Sequence, residues 1–154
     1  MSLDPVKVVS KINRSPSQTF DAFMSKASHW WPLDTHSVSP YLGEPAPDTV
    51  VIERYEGGKI FEISAKGDQR IWGTILDYQE GKYVAFSWHP GSTENEATKV
   101  SVEFELADDG NTLVTLVHSG WEVRGDKAAD IRGNYQAGWT DIIQSRFTNF
   151  TNSL

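Results

Sequence analysis

Two titratable side chains stand in apolar surroundings where chemistry could be done. His118 lies in the run Thr112 to Ser119, on the same alternating face as Val114 and Leu116. An imidazole held inward among apolar neighbours can bind a ligand oxygen or act as a general acid–base group. The commoner case is a core histidine satisfied by a backbone carbonyl or a water. Glu62 lies in Ile60-Phe61-Glu62-Ile63. If Phe61 and Ile63 face the core, Glu62 points to solvent, and this register is the one favoured. In the other register Ile60 and Glu62 face inward, and a buried acid would be functional because burial is costly. The same ambiguity covers Trp72 against Gly73.

Six tryptophans in 154 residues is a high count. Trp30, Trp31, Trp72, Trp88, Trp121 and Trp139 come from separate segments, so a fold must gather them. Indoles offer flat apolar walls and an N–H donor to a ligand, and they serve equally well as core filling. Other chemistries lack their residues. With no Cys there is no thiolate nucleophile, disulfide or Cys-based zinc site. His29, His36, His89 and His118 include no pair at the i, i+4 spacing of a helical zinc motif, so no metal is expected. No Gly-x-Ser-x-Gly elbow occurs. No phosphate loop or dinucleotide fingerprint is present, and no cofactor is expected.

The elements that must position these residues follow from pattern. A first strand is expected from Val6 to Arg14. Ser15-Pro16-Ser17-Gln18 reads as a helix start with a capping box, and Phe20, Phe23 and Met24 follow at helical spacing. That short helix, or helix pair, ends by Trp30-Trp31-Pro32. The stretch from Pro32 to Asp48 holds four of the seven prolines, and is read as an irregular wrap over one end of the core rather than a lid. Six strands then follow: Thr49 to Tyr55, Lys59 to Ser64, Gln69 to Gln79, Tyr83 to His89, Thr98 to Leu106 and Thr112 to Ser119. Val100, Val102, Phe104 and Leu106 are expected on one face of the fifth. Short turns such as Glu56-Gly57-Gly58 make the six an antiparallel meander with one buried face.

The C-terminal segment is helical. Ile131, Tyr135, Trp139, Ile142, Ile143, Phe147 and Phe150 form an apolar stripe over about five turns. Asp126 or Asn134 is a candidate cap. Such a helix needs a broad apolar surface, and the concave face of the meander supplies it. Gly138 within the helix points to a close approach to the sheet or to room for a ligand. The expectation is a single α+β domain over residues 1–154. A strand, a short helix pair and a six-strand meander form a curved antiparallel sheet wrapped around a long C-terminal helix. This is a helix-grip fold, with a pocket between sheet and helix.

Those residues resemble a known family, the START-like (SRPBCC) superfamily and its branch similar to the heat-shock-protein-90 ATPase activator homologue domain. Ser15-Pro16 through Phe20-Asp21-Ala22-Phe23, with Trp30-Trp31-Pro32, look like the family's opening helix. Gly57-Gly58-Lys59 with Phe61-Glu62 looks like its hairpin. Trp72-Gly73, Val84 to Trp88, Thr115 to Trp121 and Gly138-Trp139 look like its later strands and closing helix. The resemblance implies binding of a hydrophobic small molecule. Some members of the superfamily are cyclases or hydrolases, and chaperone association belongs to the eukaryotic activator.

The expected function is therefore binding of a small apolar molecule by Trp30, Trp31, Trp72, Trp88, His118, Trp121, Tyr135 and Trp139. Trp30 and Trp31 are placed near the mouth. The rivals are a cyclase- or hydrolase-type enzyme using His118, with Glu62 beside it, and a chaperone-associated module. A net charge of -7 without a basic cluster excludes a nucleic-acid footprint. No apolar run reaches the ~20 residues of a membrane span, and no signal-peptide pattern opens the chain. A cytoplasmic protein, monomer or homodimer, is expected.

Overall fold

The computed structural model describes residues 3–154. Strand β1 (Val6–Ile12) leads to helices α1 (Pro16–Ser25) and α2 (Ala27–Trp30). Strands β2 (Thr49–Ile52), β3 (Lys59–Ile63), β4 (Gln69–Gln79), β5 (Tyr83–Trp88), β6 (Thr98–Leu106) and β7 (Thr112–Ser119) follow. They form one seven-stranded sheet in the order β1-β7-β6-β5-β4-β3-β2. Every adjacent pair is antiparallel. The six-strand meander is thus observed, and β1 returns alongside β7 to extend it. The sheet curls as a half-barrel around the C-terminal helical segment, the α+β helix-grip arrangement.

The start of α1 follows the sequence pattern. Ser15 Oγ accepts from the Gln18 N–H at 3.2 Å, and Gln18 Oε1 accepts from the Ser15 N–H at 3.4 Å. Two amide donors left over at the helix start are thereby satisfied. Phe20, Phe23 and Met24 turn inward from α1 and are buried. Phe23 packs at 5.1 Å, centroid to centroid, on Trp30 and at 5.6 Å on Phe147.

Alternation governs the strands. In β7, Thr112, Val114, Leu116 and His118 are buried while the residues between are half-exposed. In β6, Thr98, Val100, Val102 and Phe104 are buried, but Leu106 is 67% exposed. Leu106 was expected on the inner face. It stands instead at the last position of the strand, largely open to solvent, with Thr98 filling the inner face at the other end. The edge of the alternation differs again at β3, where Ile60, Phe61 and Glu62 are all buried. A register shift against β4 falls between Ile60 and Phe61. The bulge re-aims side chains so that simple alternation fails there.

The C-terminal segment begins as a 3-10 turn, Trp121–Lys127, then runs as α3 (Ala128–Asp141), a π-helical stretch (Ile142–Phe147) and α4 (Thr148–Asn152). Neither Asp126 nor Asn134 caps it. Lys127 precedes α3 without a side-chain cap, and the Ala128 N–H is taken by the Gly125 carbonyl of the preceding turn. The stripe is buried unevenly. Trp139, Ile142, Ile143 and Phe147 are buried, whereas Ile131, Tyr135 and Phe150 are partly exposed. Ile131 and Tyr135, in the first half of the helix, pack against the core on one side and border the cavity on the other. Among the described residues no helix is long and apolar enough to cross a membrane.

Candidate functional site

The helix contributes one face to the cavity. Ile131, Asn134, Tyr135, Gly138, Trp139 and Ile142 recur at three- and four-residue steps and all line it. Trp88, with Pro90 and Gly91 after it, comes from the end of β5, and Trp31 comes from the end of α2. The remaining wall is the loop between α2 and β2, through Thr35, His36, Ser37, Val38, Tyr41 and Leu42. The cavity measures about 580 Å³ and opens to solvent. That is within the size of small-molecule sites, roughly 300–1,000 Å³.

Four indoles form a connected cluster at its base. Trp31 lies 5.2 Å from Trp72, 5.8 Å from Trp88 and 5.7 Å from Trp139, centroid to centroid. Trp88 lies 5.7 Å from Trp72 and 5.4 Å from Trp139. Tilted and edge-on contacts at such distances are the favoured aromatic geometries. A second group sits behind, with His118 at 4.2 Å from Trp121 and 4.7 Å from Tyr135. Trp30 Nε1 donates to the Ala22 carbonyl at 3.0 Å, so Trp30 belongs to the core beneath α1.

All eight residues singled out in the sequence are gathered around this end of the sheet, but they divide. Trp31, Trp88, Tyr135 and Trp139 line the cavity. Trp30, Trp72, His118 and Trp121 are buried behind it and do not. The expected position of Trp30 at the mouth is corrected accordingly, since its ring is 3% exposed and wedged between Phe23 and Phe147.

His118 is fully buried, and side chains satisfy it rather than a backbone carbonyl or a water. Trp139 Nε1 donates to its Nδ1 at 2.9 Å, and Thr98 Oγ1 lies 2.5 Å from its Nε2. Burial pushes its pKa down to about 3. A neutral imidazole with both nitrogens engaged has nothing left for a substrate. Burial also raises the Tyr135 phenol, a rise opposed by the nearby Trp88 indole and Arg124. The Trp88 N–H itself has no acceptor within hydrogen-bonding geometry.

Glu62 reverses the favoured expectation: it is fully buried, not solvated. Its carboxylate accepts from the Val38 N–H at 2.5 Å, the Ser39 N–H at 3.0 Å, Ser39 Oγ at 2.6 Å and Trp72 Nε1 at 2.8 Å. Burial would raise its pKa, but the donors from Ser39, Val38 and Trp72 outweigh this and hold it below the ordinary carboxylate value. Glu62 therefore binds the loop that walls the cavity to the sheet. It does not converge with His118 on a common space.

The loop residues were not singled out in the sequence. The stretch was read as a wrap, and it does cover one end of the sheet, but it also supplies a cavity wall. Its proline content and length were the only signals. Gly138 faces this loop and not the sheet: an added Cβ would touch His36 Nε2 at 3.4 Å. Among the described residues no group of three or more His, Cys, Asp or Glu is placed to hold a metal ion.

A family model described as Activator of Hsp90 ATPase homolog 1-like protein matches residues 13–150. No curated protein matches the sequence. Solved structures share the fold over nearly all of both chains. CalC from Micromonospora echinospora, described as a self-sacrificing resistance protein, is 18% identical with a TM-score of 0.71, over 97% of this chain and 95% of that one. Protein MLL2253 from Mesorhizobium loti is 12% identical with a TM-score of 0.70, over 97% of each chain. Txn09, described as an anthrahydroquino-gamma-pyrone synthase, is 23% identical with a TM-score of 0.62, over 96% of this chain and 97% of that one. At these identities the likeness establishes the fold alone.

Proposed function

The chain belongs to the Activator of Hsp90 ATPase homolog 1-like family, and from that premise we propose that it binds a small, largely apolar molecule in the cavity between sheet and C-terminal helix. The observation that carries the reading is the wall of four aromatic rings, Trp31, Trp88, Tyr135 and Trp139, around a solvent-open space of about 580 Å³. Water in such a space is poorly bonded, and an apolar ligand gains from displacing it. Rings already locked against one another lose little freedom on binding, which favours affinity. The cyclase- or hydrolase-type alternative through His118 has less support, because that imidazole is neutral, buried and engaged at both nitrogens.

Native mass spectrometry of freshly purified protein, followed by extraction, is the direct test. A co-purifying apolar molecule that is lost when Trp31 and Trp88 are both replaced by alanine is expected. Unchanged retention in that double variant, once circular dichroism has shown it folded, would overturn the reading.

A further inference from the structure

The mouth of the cavity carries an imidazole that the binding reading does not use. His36 sits in the loop between α2 and β2 and lines the cavity where that loop meets α3. Three restraints hold it. Thr35 Oγ1 is 2.7 Å from its Nδ1. Its backbone carbonyl accepts from Trp31 Nε1 at 2.7 Å. Its ring rests against α3 at Gly138, where any side chain would begin 3.4 Å from Nε2.

With Nδ1 occupied by Thr35, the ring presents a single directed hydrogen-bonding atom. Nε2 has no protein partner among the described residues. It stands at the edge of a space walled by the rings of Trp31, Trp88, Tyr135 and Trp139 together with aliphatic and a few polar side chains, and Gly138, having no side chain, leaves room beside it. Alanine in place of Gly138 would set a methyl group 3.4 Å from Nε2.

The shape of the walls restricts what can meet that atom. Indole and phenol faces at Trp31, Trp88, Tyr135 and Trp139 reward a flat ligand through offset and edge contacts, beyond simple area. A flexible acyl chain would gain area alone and lose rotational freedom. We infer that His36 Nε2 is the polar anchor of this site, bonding a hydroxyl on the edge of a flat, fused-ring aromatic ligand whose rings lie among the indoles. A hydroxyl suits either tautomer of His36, since it both donates and accepts. The inference rests on the binding reading above and adds the ligand class and the residue that recognises it.

Isothermal titration of the full chain with 2-naphthol, naphthalene and palmitate tests it. The expected result is that 2-naphthol binds about tenfold more tightly than naphthalene, the worth of one good hydrogen bond. In His36→Phe, which keeps a ring but removes both nitrogens, the two naphthalenes should bind alike. Thr35→Val should narrow the difference in the same direction by releasing Nδ1. A hydroxyl preference that survives His36→Phe overturns the anchor. Binding of palmitate in preference to both aromatics overturns the ligand class while leaving the apolar-binding reading intact. Failure of all three probes to bind overturns both.

Discussion

The indole of Trp139 donates its N–H to Nδ1 of His118 at 2.9 Å. That single bond fixes the imidazole: Nδ1 must be the acceptor, so the proton of the neutral ring sits on Nε2 and faces Thr98 Oγ1 at 2.5 Å. The Thr98 hydroxyl in turn donates to the Trp88 carbonyl at 3.3 Å. A chain of three hydrogen bonds therefore ties the helix wall of the cavity to β7, β6 and β5.

Acidification should weaken the fold through this histidine. Its folded pKa is about 3, and the unfolded value is about 6.5. Between these the unfolded chain binds the extra proton, so the contribution of neutral His118 is complete above about pH 6.5 and is lost as the pH falls toward 3. The slope is at most about 1.4 kcal/mol per pH unit. Urea denaturation at pH 7 and pH 5 should show the wild type losing about 2 kcal/mol more than His118→Asn. Parallel losses would mean that the imidazole can charge in place.

Trp139→Phe separates the bond from the ring. Phenylalanine keeps an aromatic wall but leaves Nδ1 without its donor. We expect a loss of about 1 kcal/mol of stability. Nδ1 would also be free to take a proton, so His118 should titrate above its present value. Ring-carbon NMR shifts against pH would read the change directly.

The architecture was legible because its signals are long and periodic. Seven apolar positions at helical spacing defined the last helix, and alternation through Val114, Leu116 and His118 gave the inner face of β7. The capping box at Ser15 and Gln18 marked α1 to the residue. The cavity wall was less legible. Pattern left the facing of Glu62 open between two registers, because the bulge between Ile60 and Phe61 breaks the two-residue period on which facing is judged. Its partners, Val38 and Ser39, lie in a loop without periodicity, and backbone N–H donors leave no mark in a sequence. His36 was weighed only as a metal ligand, and its place at the cavity left no mark for the same reason: its neighbour Gly138 lies 102 positions away, as their numbering gives.

Glu62 should matter to stability more than an acid normally does. Removing its side chain in Glu62→Ala leaves donors at Val38, Ser39 and Trp72 without an acceptor. A loss of about 3 kcal/mol is expected. Glu62→Gln keeps the size but turns an NH2 toward donors, so it should recover only part. Its pKa is held low, so its stabilisation is full above the ordinary carboxylate value and falls away as the pH drops through the lowered one. Limited proteolysis should locate the damage, with new cleavage in the stretch 33–48 before the sheet itself opens.

Two glycines should respond in opposite directions to the same change. Gly73 lies in β4 between the two places where pairing shifts register, at Ile60/Phe61 and at Ile75/Asp77. The strand bends there and presses on β5: the His89 N–H donates to the Trp72 carbonyl at 2.6 Å, and the Thr74 N–H to Ser87 Oγ at 3.0 Å. A Cβ on Gly73 would fall 1.8 Å from the Ser87 backbone oxygen, which no side-chain rotation can relieve. Gly73→Ala must therefore part the strands beside the tryptophan cluster, at a cost of more than about 3 kcal/mol. Gly133 is exposed on α3 with nothing within 4 Å of an added Cβ. Alanine there should stabilise by about 0.5–1 kcal/mol, through better helix propensity and a less free unfolded chain. Thermal unfolding of the two variants beside the wild type would settle it. A Gly73→Ala protein melting with the wild type would show that β4 and β5 are not in the close contact described.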